Sequence, residues 1–401
     1  MCRVGYFMYW WWRSFCLNYR KSKLILTEQQ ELVRNTARDF AIKYLEPGAI
    51  ERDDKAKFPH QEVKMMGDLG FMGVMVPEKW NGAGMDTISY SLIIEEISRI
   101  DASAGVIVSV NNSLVCQTLV NYGNDFQNET YLKGLAKGDL LGSFSLSEPQ
   151  SGSDASNMKT IAEKDGSHYI LNGTKNWVTN GINSDLIIVM SLTDKSKGHK
   201  GVSAFIVPKN IDGISLGKKE NKLGIRSSDT CEIHFTNCRI PVENLIDSEG
   251  EGYRIALTTL DGGRIGIASQ AVGIAQAALD KSKVYAKDRK QFGKPISDFG
   301  AIQEKIANMG TNIEASRHLI HNAALLKDMH KPFTKEAAMA KSFSSQTAMD
   351  SATDCVQIFG GYGYMQEYGV ERLMRDAKIT QIYEGTTEIQ NMVIARELLE
   401  N

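Results

Sequence analysis

Glu384 is the side chain in this sequence best placed to do chemistry, because it lies on a short glycine-containing loop between two apolar-periodic segments. Thr387 and Gln390 have the spacing of a capping box, which predicts that a helix begins immediately after Gly385. The helix N-terminus would favour the ionised carboxylate, whereas burial against Tyr383 would raise its pKa. A carboxylate balanced in this way suits general-base catalysis near neutral pH. The plainer alternative is a Glu that only stabilises the start of a helix.

Further candidates lie in the C-terminal half of the chain. Asp261 and Arg264 are one helical turn apart and can form an ion pair. Arg289 follows Asp288 in a polar connection, and the segment Gln357-Ile358-Phe359-Gly360-Gly361 ends a helical pattern with paired glycines. Taken singly, each has an ordinary explanation, as a surface ion pair, a solvated loop or a helix C-cap.

Two polar segments in the middle of the chain are also candidates. Residues 144–154 leave a predicted strand and are rich in hydroxyls and backbone donors, the groups that an anionic ligand needs. Residues 176–181 place Trp177 and Thr179 at alternate positions, hence on one face of a strand. Each segment also fits a plainer description, as a polar surface loop and as a half-buried tryptophan on a sheet.

The N-terminal part of the chain has a helical pattern. Thr27-Glu28-Gln29-Gln30 is a capping box that opens a periodic segment running to Leu45. Residues 61–69 and 89–100 continue the pattern, and residues 106–120 are apolar almost all round, as expected of a buried helix.

From residue 141 the pattern changes to short β-rich runs separated by turns. Asp165-Gly166 and Asn172-Gly173 are typical of hairpin turns. The block is therefore predicted to be a compact antiparallel β module. The predicted strands are 141–146, 159–163, 169–171, 186–190, 202–207 and 232–235.

Helical patterns return from Gly252, and segments 302–329 and 335–359 have the lengths found in helix bundles. Segregated helical and strand blocks predict an α+β protein, not an alternating α/β sheet. Residues 1–23, with three consecutive tryptophans and no acidic residue, are predicted to be an extension that is either transit-like or the product of a misassigned start. The predicted domains are 24–140, 141–251 and 252–401.

Composition excludes several partners. The net charge is -2, so no general argument favours nucleic acid or an anionic membrane. The apolar run from Val4 to Trp12 is too short for a transmembrane helix, and no stable membrane insertion is predicted. Six scattered cysteines without C-x-x-C or zinc spacing predict a reducing compartment, no disulfide framework and no metal.

Common catalytic motifs are missing from the sequence. Gly82-Ala83-Gly84 lacks the third glycine of a dinucleotide-binding loop, and Gly361-Tyr362-Gly363 lies in a helical context. Both facts argue against a Rossmann site. The sequence has no P-loop, H-E-x-x-H or G-x-S-x-G motif, so hydrolase and phosphotransferase functions lose their usual support.

Taken together and in this order, the segments resemble the acyl-CoA dehydrogenases over residues 26–399. The resemblance is closest to the short-chain, butyryl-CoA type and rests on Glu95-Glu96-Ile97-Ser98-Arg99, Ser109-Val110-Asn111-Asn112-Ser113-Leu114 and Leu260-Asp261-Gly262-Gly263-Arg264-Ile265-Gly266-Ile267-Ala268. It implies a helical domain, a β domain and a four-helix bundle around FAD, in a homotetramer built as a dimer of dimers. It also implies fatty acid β-oxidation, in which a short-chain acyl-CoA becomes trans-2-enoyl-CoA and electrons pass to electron-transfer flavoprotein.

The resemblance gives the candidate residues their roles. Glu384 would remove the α proton while flavin N5 accepts the β hydride, and its backbone N–H would bind the thioester oxygen. Arg289 would reach the FAD pyrophosphate of a neighbouring subunit. The implied substrate contacts are Ser153, Asp261, Arg264 and Gly385. The other implied cofactor contacts are Phe144, Leu146, Ser147, Ser153, Trp177, Val178, Thr179, Gln357, Gly360, Gly361, Thr386 and Glu388.

Three glycines refine the resemblance. Some relatives carry the base on the preceding helix, where this chain has Gly263, so the base falls to Glu384. Relatives that oxidise dicarboxylic substrates have an Arg where this chain has Gly105, which argues against glutaryl-CoA. Gly300 departs from the usual Gln, so a contact to FAD from the neighbouring subunit is predicted to be missing or differently made.

Several alternatives stay open at this point. The acyl group could be a short branched one, such as isobutyryl or 2-methylbutyryl. A flavin monooxygenase or a nitroalkane-oxidase-like enzyme has the same fold, although Glu384, Ser153 and the Asp261–Arg264 pair argue against the former. A non-enzymatic relative that kept the fold as a scaffold is the third alternative. The predicted location is the cytoplasm, or the mitochondrial matrix if residues 1–23 are a transit peptide.

Overall fold

In this computed structural model the described residues are 26–400, so the predicted extension at 1–23 lies outside them. The described chain runs from helices through a sheet to helices, which confirms the predicted α+β class. The last N-terminal helix ends at Lys137 and the first strand begins at Gly142; the last strand of the sheet ends at Ile246 and the next helix begins at Gly252. The domain limits at 140 and 251 stay predictions.

The N-terminal helices begin at the predicted capping box and include one long buried segment. The predicted capping box is confirmed, since the Thr27 hydroxyl accepts from the Gln30 backbone N–H and the Gln30 side chain accepts from the Thr27 N–H. By length and composition one described helical segment, Ala102–Tyr122, could cross a membrane, and 89% of its apolar window is buried inside the protein. The helices are α1 Glu28–Phe40, α2 Ala49–Asp54, α3 His60–Asp68, α4 Thr87–Ile100, α5 Ala102–Ser109, α6 Gln117–Tyr122, α7 Asp125–Gln127 and α8 Lys133–Lys137, with a π-helix at Val110–Cys116 between α5 and α6.

The eight strands between residues 142 and 246 form one sheet in the order β6-β7-β3-β2-β4-β5-β8, with β1 beside β4. The sheet is mixed and not purely antiparallel as predicted, because β1 enters from the helical block and pairs with β4 in parallel, as does Ile161, the first residue of β2. The strands are β1 Gly142–Ser145, β2 Ile161–Asp165, β3 His168–Thr179, β4 Leu186–Leu192, β5 Val202–Pro208, β6 Ile214–Leu216, β7 Thr230–Pro241 and β8 Leu245–Ile246.

One of the two predicted hairpin turns is confirmed. Gly166, with φ 58°, turns the chain between β2 and β3. The prediction for Gly173 is wrong, since it lies inside β3 at a register shift. A Cβ atom there would lie 2.4 Å from Thr160 Oγ1, so the glycine permits close packing of the strand instead of a turn.

The C-terminal helices form a bundle around one long helix. This helix, α9, has 37 residues and packs against α10, α11 and α12 of the bundle and against α4 and α5 of the N-terminal part. At about 1.5 Å per residue it is about 55 Å long. The elements are α9 Gly252–Asp288, β9 Lys290–Gln291, β10 Lys294–Pro295, α10 Gly300–Asp328, α11 Thr334–Phe359, α12 Glu371–Thr380 and α13 Thr387–Leu399.

Candidate active site

The loop between α12 and α13 carries Glu384. Helix α13 begins at Thr387, as predicted, but its N-cap is Thr386, whose hydroxyl accepts from the Ile389 backbone N–H. The predicted capping box of Thr387 and Gln390 is therefore wrong. Gln390 is fully buried, and its amide turns back into the loop because that is where unpaired carbonyl groups lie.

The backbone around Glu384 is held in an uncommon conformation. Glu384 has φ 52° and Gly385 has φ 92°, both in the left-handed region, and a non-glycine residue there is energetically costly. Gln390 Nε2 donates to the carbonyl oxygens of Glu384 at 3.1 Å and Gly385 at 3.0 Å. Lys341 Nζ, from α11, donates to the Gly385 carbonyl at 2.6 Å. Two buried donors from two helices thus stabilise this conformation.

The carboxylate of Glu384 has the environment of a proton acceptor. Its Oε2 atom is buried and bonds to no other described residue. Burial raises the pKa of Glu384 to about 7, while the positive charges of Lys341 and Arg264 act in the opposite direction. The predicted balance between burial and a positive potential exists. The positive potential, however, comes from Lys341 and Arg264 and not from the helix N-terminus that the sequence suggested. The result is a carboxylate with one free oxygen and a pKa near neutrality, the properties that a general base needs.

Helix α9 approaches this carboxylate at a glycine. A Cβ atom on Gly263 would lie 2.2 Å from Glu384 Oε2 and 2.8 Å from Leu114 Cδ2. A side chain at 263 and the Glu384 carboxylate would therefore compete for one volume, and only glycine at 263 leaves that volume to Glu384.

Asp261 and Arg264 lie next to this centre and are not a surface pair. Their closest atoms, Oδ1 and a guanidinium nitrogen, are 2.5 Å apart, and their side chains are 13% and 7% exposed. Asp261 Oδ2 also accepts from the Thr334 hydroxyl at 2.6 Å. Burial raises the pKa of Asp261, and the charge of Arg264 opposes that rise. The pair places a fixed cation beside Glu384.

The ends of β1 and β3 bring a second group of predicted residues together. Phe144 is the last residue but one of β1, and Leu146 and Ser147 follow the strand directly. All three are half-buried. The Ser147 carbonyl accepts from the Asn176 N–H at 2.9 Å, which joins this segment to the end of β3. Ser153 lies farther along the same loop and is exposed.

Trp177 is placed differently from the sequence-based description. A register shift between Lys175 and Val178 breaks the strand alternation, and Trp177 has φ 59°. The indole is 62% exposed, while the Val178 side chain packs in the core of the sheet. The aromatic face of Trp177 is therefore accessible to a ligand beside the half-buried Thr179. At Val178 only the backbone is available for contact, because its side chain is buried.

A buried ion pair that the sequence did not predict supports this group. Lys175 Nζ and Glu148 Oε1 are 2.9 Å apart, with side chains 0% and 2% exposed. Lys175 also donates to the Leu146 carbonyl at 3.0 Å, and Glu148 accepts from the backbone N–H groups of Lys159 at 2.6 Å and Thr160 at 3.0 Å. Burial opposes ionisation of Glu148, yet Lys175 and these donors lower its pKa to about 2. The pair fixes the loop that follows β1.

A cavity of about 550 Å³ lies at the C-terminal end of α9, and a third group of predicted residues, Arg289, Gly360 and Gly361, lines it. The Arg289 guanidinium lies 5.7 Å from the centre of the Tyr362 ring, and the rings of Tyr285 and Phe359 stack 4.0 Å apart. Gly360 and Gly361 open on free space. A concave apolar wall beside a cation suits an aromatic base and a phosphate, so these residues fit the adenosine diphosphate part of FAD.

The remaining predicted residues lie at helix ends. The Thr386 hydroxyl serves as the cap of α13, and Glu388 and Gln357 are exposed. Gly300 is the exposed first residue of α10, with open space where a side chain would be. Within residues 26–400, no group of three or more His, Cys, Asp or Glu side chains is arranged to hold a metal ion.

Family models and individual relatives match nearly the whole chain. The models for the N-terminal, middle and C-terminal domains of acyl-CoA dehydrogenase match residues 27–139, 143–238 and 250–399. The short-chain specific acyl-CoA dehydrogenase of mitochondria from Rattus norvegicus is 48% identical over 97% of this chain and 94% of its own length.

Two solved structures have nearly the same fold. Butyryl-CoA dehydrogenase from Megasphaera elsdenii has a TM-score of 0.93 and 46% identity, covering 94% of this chain and 100% of that one. A chain in a structure reported on the electron transferring flavoprotein of Acidaminococcus fermentans has a TM-score of 0.94 and 46% identity, with the same coverage. This chain therefore belongs to the acyl-CoA dehydrogenases, a family of FAD-dependent oxidoreductases.

Proposed function

We propose that this acyl-CoA dehydrogenase oxidises a short-chain acyl-CoA, with butyryl-CoA as the model substrate, to the trans-2-enoyl-CoA. The observation that carries the proposal is the buried, unbonded Oε2 of Glu384, whose pKa is raised to about 7. The similarity to short-chain specific and butyryl-CoA enzymes supports the chain length.

The α proton of the thioester is the one that a carboxylate can remove. Glu384 takes this proton through Oε2, and the electron pair of the C–H bond enters the new double bond. FAD, when bound, supplies the acceptor for the hydride that leaves the β carbon. The Glu384 backbone N–H donates to no other described residue, so it is free to stabilise the negative charge that develops on the thioester oxygen. Arg264 adds a fixed positive charge beside the base.

Two groups of residues would hold FAD. Phe144, Leu146, Ser147, Trp177 and Thr179 would line the flavin ring, with Val178 contributing its backbone. Arg289, Gln357, Gly360 and Gly361 would hold the adenosine diphosphate, Thr386 and Glu388 would complete the site, and Ser153 would meet the CoA portion.

The length of α9 supports a shared site between subunits. Arg289 directly follows Asp288, the last residue of α9, and lies 26 positions from Gly263, which corresponds to about 39 Å along the helix. One FAD cannot reach from a ring beside Glu384 to a pyrophosphate beside Arg289 of the same chain. We infer that Arg289 completes the cofactor site of another subunit, in the predicted homotetramer.

Electron-transfer flavoprotein is the proposed acceptor of the electrons, because a nearly identical fold occurs in a structure reported on such a flavoprotein. The proposed role is in fatty acid β-oxidation. Relatives include bacterial and mitochondrial proteins, and we propose a cytoplasmic location with the mitochondrial matrix as the alternative.

Anaerobic titration of the purified flavoprotein tests the proposal. The flavin absorbance at ~450 nm is followed while butyryl-, hexanoyl-, isobutyryl- and 2-methylbutyryl-CoA are added separately. Rapid bleaching by butyryl-CoA with formation of enoyl-CoA is expected. Faster bleaching by a branched thioester would make that thioester, instead of butyryl-CoA, the proposed substrate. If no thioester bleaches the flavin, the result would contradict the proposed function and favour a monooxygenase or oxidase.

A further inference from the structure

The buried face of α9 carries two glycines, one helical turn apart, that open toward two different side chains. Gly263 faces Glu384, as described above. At Gly266 a Cβ atom would lie 2.2 Å from the hydroxyl oxygen of Tyr90 and 2.4 Å from Ser109 Oγ. The three residues from Gly263 to Gly266 correspond to about 4.5 Å along the helix axis, a little less than one turn. The phenol of Tyr90 therefore lies about one turn beyond the Glu384 carboxylate.

Tyr90 is fixed in this position. Its side chain on α4 is completely buried, and its hydroxyl is 2.8 Å from Ser109 Oγ, at the end of α5. Burial raises the pKa of Tyr90, and the negative charge of Glu384 adds to the rise. The phenol is consequently neutral, and its ring cannot swing aside without breaking a buried hydrogen bond.

The reaction restricts where the acyl chain can lie. The α carbon must reach Glu384 Oε2, and Leu114 lies against the same glycine and closes one side. For a chain that runs from Gly263 toward Gly266, the side chains nearest to Gly266 are Tyr90 and Ser109, whose oxygen atoms would lie 2.2 Å and 2.4 Å from a Cβ atom there. Tyr90 is the larger of the two, and its hydroxyl is the nearer to Gly266.

We infer that Tyr90, seated by Ser109, closes the inner end of the acyl pocket and so restricts this enzyme to short acyl chains. The inference rests on the proposed function, because it requires an acyl-CoA substrate whose α carbon lies at Glu384. A phenol one turn away leaves room for a short chain, whereas a longer one would have to displace a buried aromatic ring, which close-packed interiors resist.

Shortening the side chain at 90 tests the inference. In the FAD-loaded enzyme, Tyr90→Leu is expected to raise the ratio of kcat/KM for hexanoyl-CoA to that for butyryl-CoA at least tenfold. Tyr90→Phe, which keeps the ring and removes only the hydroxyl nearest Gly266, is expected to raise it about threefold. Ser91→Ala is the matched control, because the Ser91 hydroxyl bonds only within α4, to the Ile88 carbonyl, and the ratio should stay unchanged.

Binding without turnover gives an independent readout. Titration calorimetry with the thioethers S-butyl-CoA and S-octyl-CoA, which lack an acidic α proton, should show tighter binding of S-octyl-CoA to Tyr90→Leu than to the parent enzyme. If Tyr90→Leu does not fold, Tyr90→Phe decides both readouts.

The outcomes separate the inference from the proposed function. A parent enzyme that oxidises no acyl-CoA overturns the proposed function and the inference with it. A parent enzyme that prefers butyryl-CoA, with the same ratio in both Tyr90 variants, overturns only the inference. A parent enzyme that uses octanoyl-CoA as well as butyryl-CoA also overturns the inference, because the pocket would then not end at Tyr90.

Discussion

The position that a Cβ atom would take on Gly263 lies 2.2 Å from Oε2 of Glu384. A helix and a loop 121 residues apart in the sequence thus meet at this carboxylate oxygen, and the helix makes room for it by having no side chain at position 263. Gly263, a residue without a side chain, therefore determines where the carboxylate of Glu384, the proposed base, can lie.

Gly263→Ala is expected to lower kcat about 10²-fold, because the new methyl group must move the carboxylate and a displacement of about 1 Å carries a penalty of that size. Steady-state kinetics with butyryl-CoA measure the effect. Gly262→Ala is the control, since its Cβ atom would meet only the Lys327 side chain at an ordinary 3.7 Å. Equal activity in the two variants would contradict the assigned position of the base.

Glu384→Gln is expected to keep the fold and bound FAD while kcat falls about 10²- to 10⁴-fold, the usual contribution of a general base. The amide fills the same volume but cannot accept the α proton. Flavin absorbance of the purified variant confirms cofactor retention, and single-turnover bleaching measures the loss. Full turnover in this variant would assign the base to another residue.

The pH dependence of kcat/KM should rise through about pH 7 and level off above it, because Glu384 must be ionised and its pKa is raised to about 7. Below that value the rate should fall tenfold per pH unit.

The raised pKa of Glu384 also predicts a change in stability with pH. Since the unfolded chain ionises this Glu near its ordinary 4.5, the free energy of unfolding should fall as pH rises from 4.5 to 7.

Lys341→Met should move the inflection in kcat/KM to higher pH, because the charge that opposes the raised pKa of Glu384 is removed. Lys341→Arg is the control, since it keeps the charge and should keep the inflection. Parallel profiles that differ only in height would indicate that Lys341 acts on the loop through its hydrogen bond alone.

Lys175→Met should lower the free energy of unfolding by about 3–5 kcal/mol, because Glu148 would be left buried without its cation. Urea titration measures the change. Arg239→Met removes an exposed ion pair with Asp165, whose side chains are 54% and 61% exposed, and should have little effect. In the parent protein the stabilisation from Glu148 should be complete above about pH 4.5 and disappear as pH falls toward 2, since its pKa is lowered.

Gly300→Gln should increase retention of FAD on dialysis, because the residue opens on free space and faces no clash within its own chain. Residual flavin per subunit after dialysis measures the effect. Gly310→Gln, at an equally open position within α10, is the matched control. Equal retention in both variants would indicate that residue 300 makes no contact with the cofactor of a neighbouring subunit.

The sequence predicted those features that depend on local patterns. The capping box at Thr27, the turn at Gly166 and the start of α13 follow from residues within a few positions of one another. The helix–sheet–helix order follows from hydrophobic periodicity in the same way. These signals do not require knowledge of what packs against them.

The features that the sequence did not predict depend on distant partners. Gln390 caps no helix because unpaired carbonyl groups compete for its amide, and Gly173 forms no turn because Thr160 packs against it. The roles of Lys341 and Lys175 appear only when their helix and strand are placed beside Glu384 and Glu148. A lysine within an alanine-rich segment, as at position 341, is the one signal in the sequence that would have drawn attention in advance.

The span of α9 has a consequence for how the protein behaves on dilution. If Arg289 of the partner subunit completes each cofactor site, holding FAD and holding the subunits together are one coupled equilibrium. Loss of flavin should then depend on protein concentration, and excess FAD should keep dilute protein assembled. Because α9 is too long for one chain to complete its own cofactor site, the supply of FAD would then determine how much assembled enzyme a cell contains.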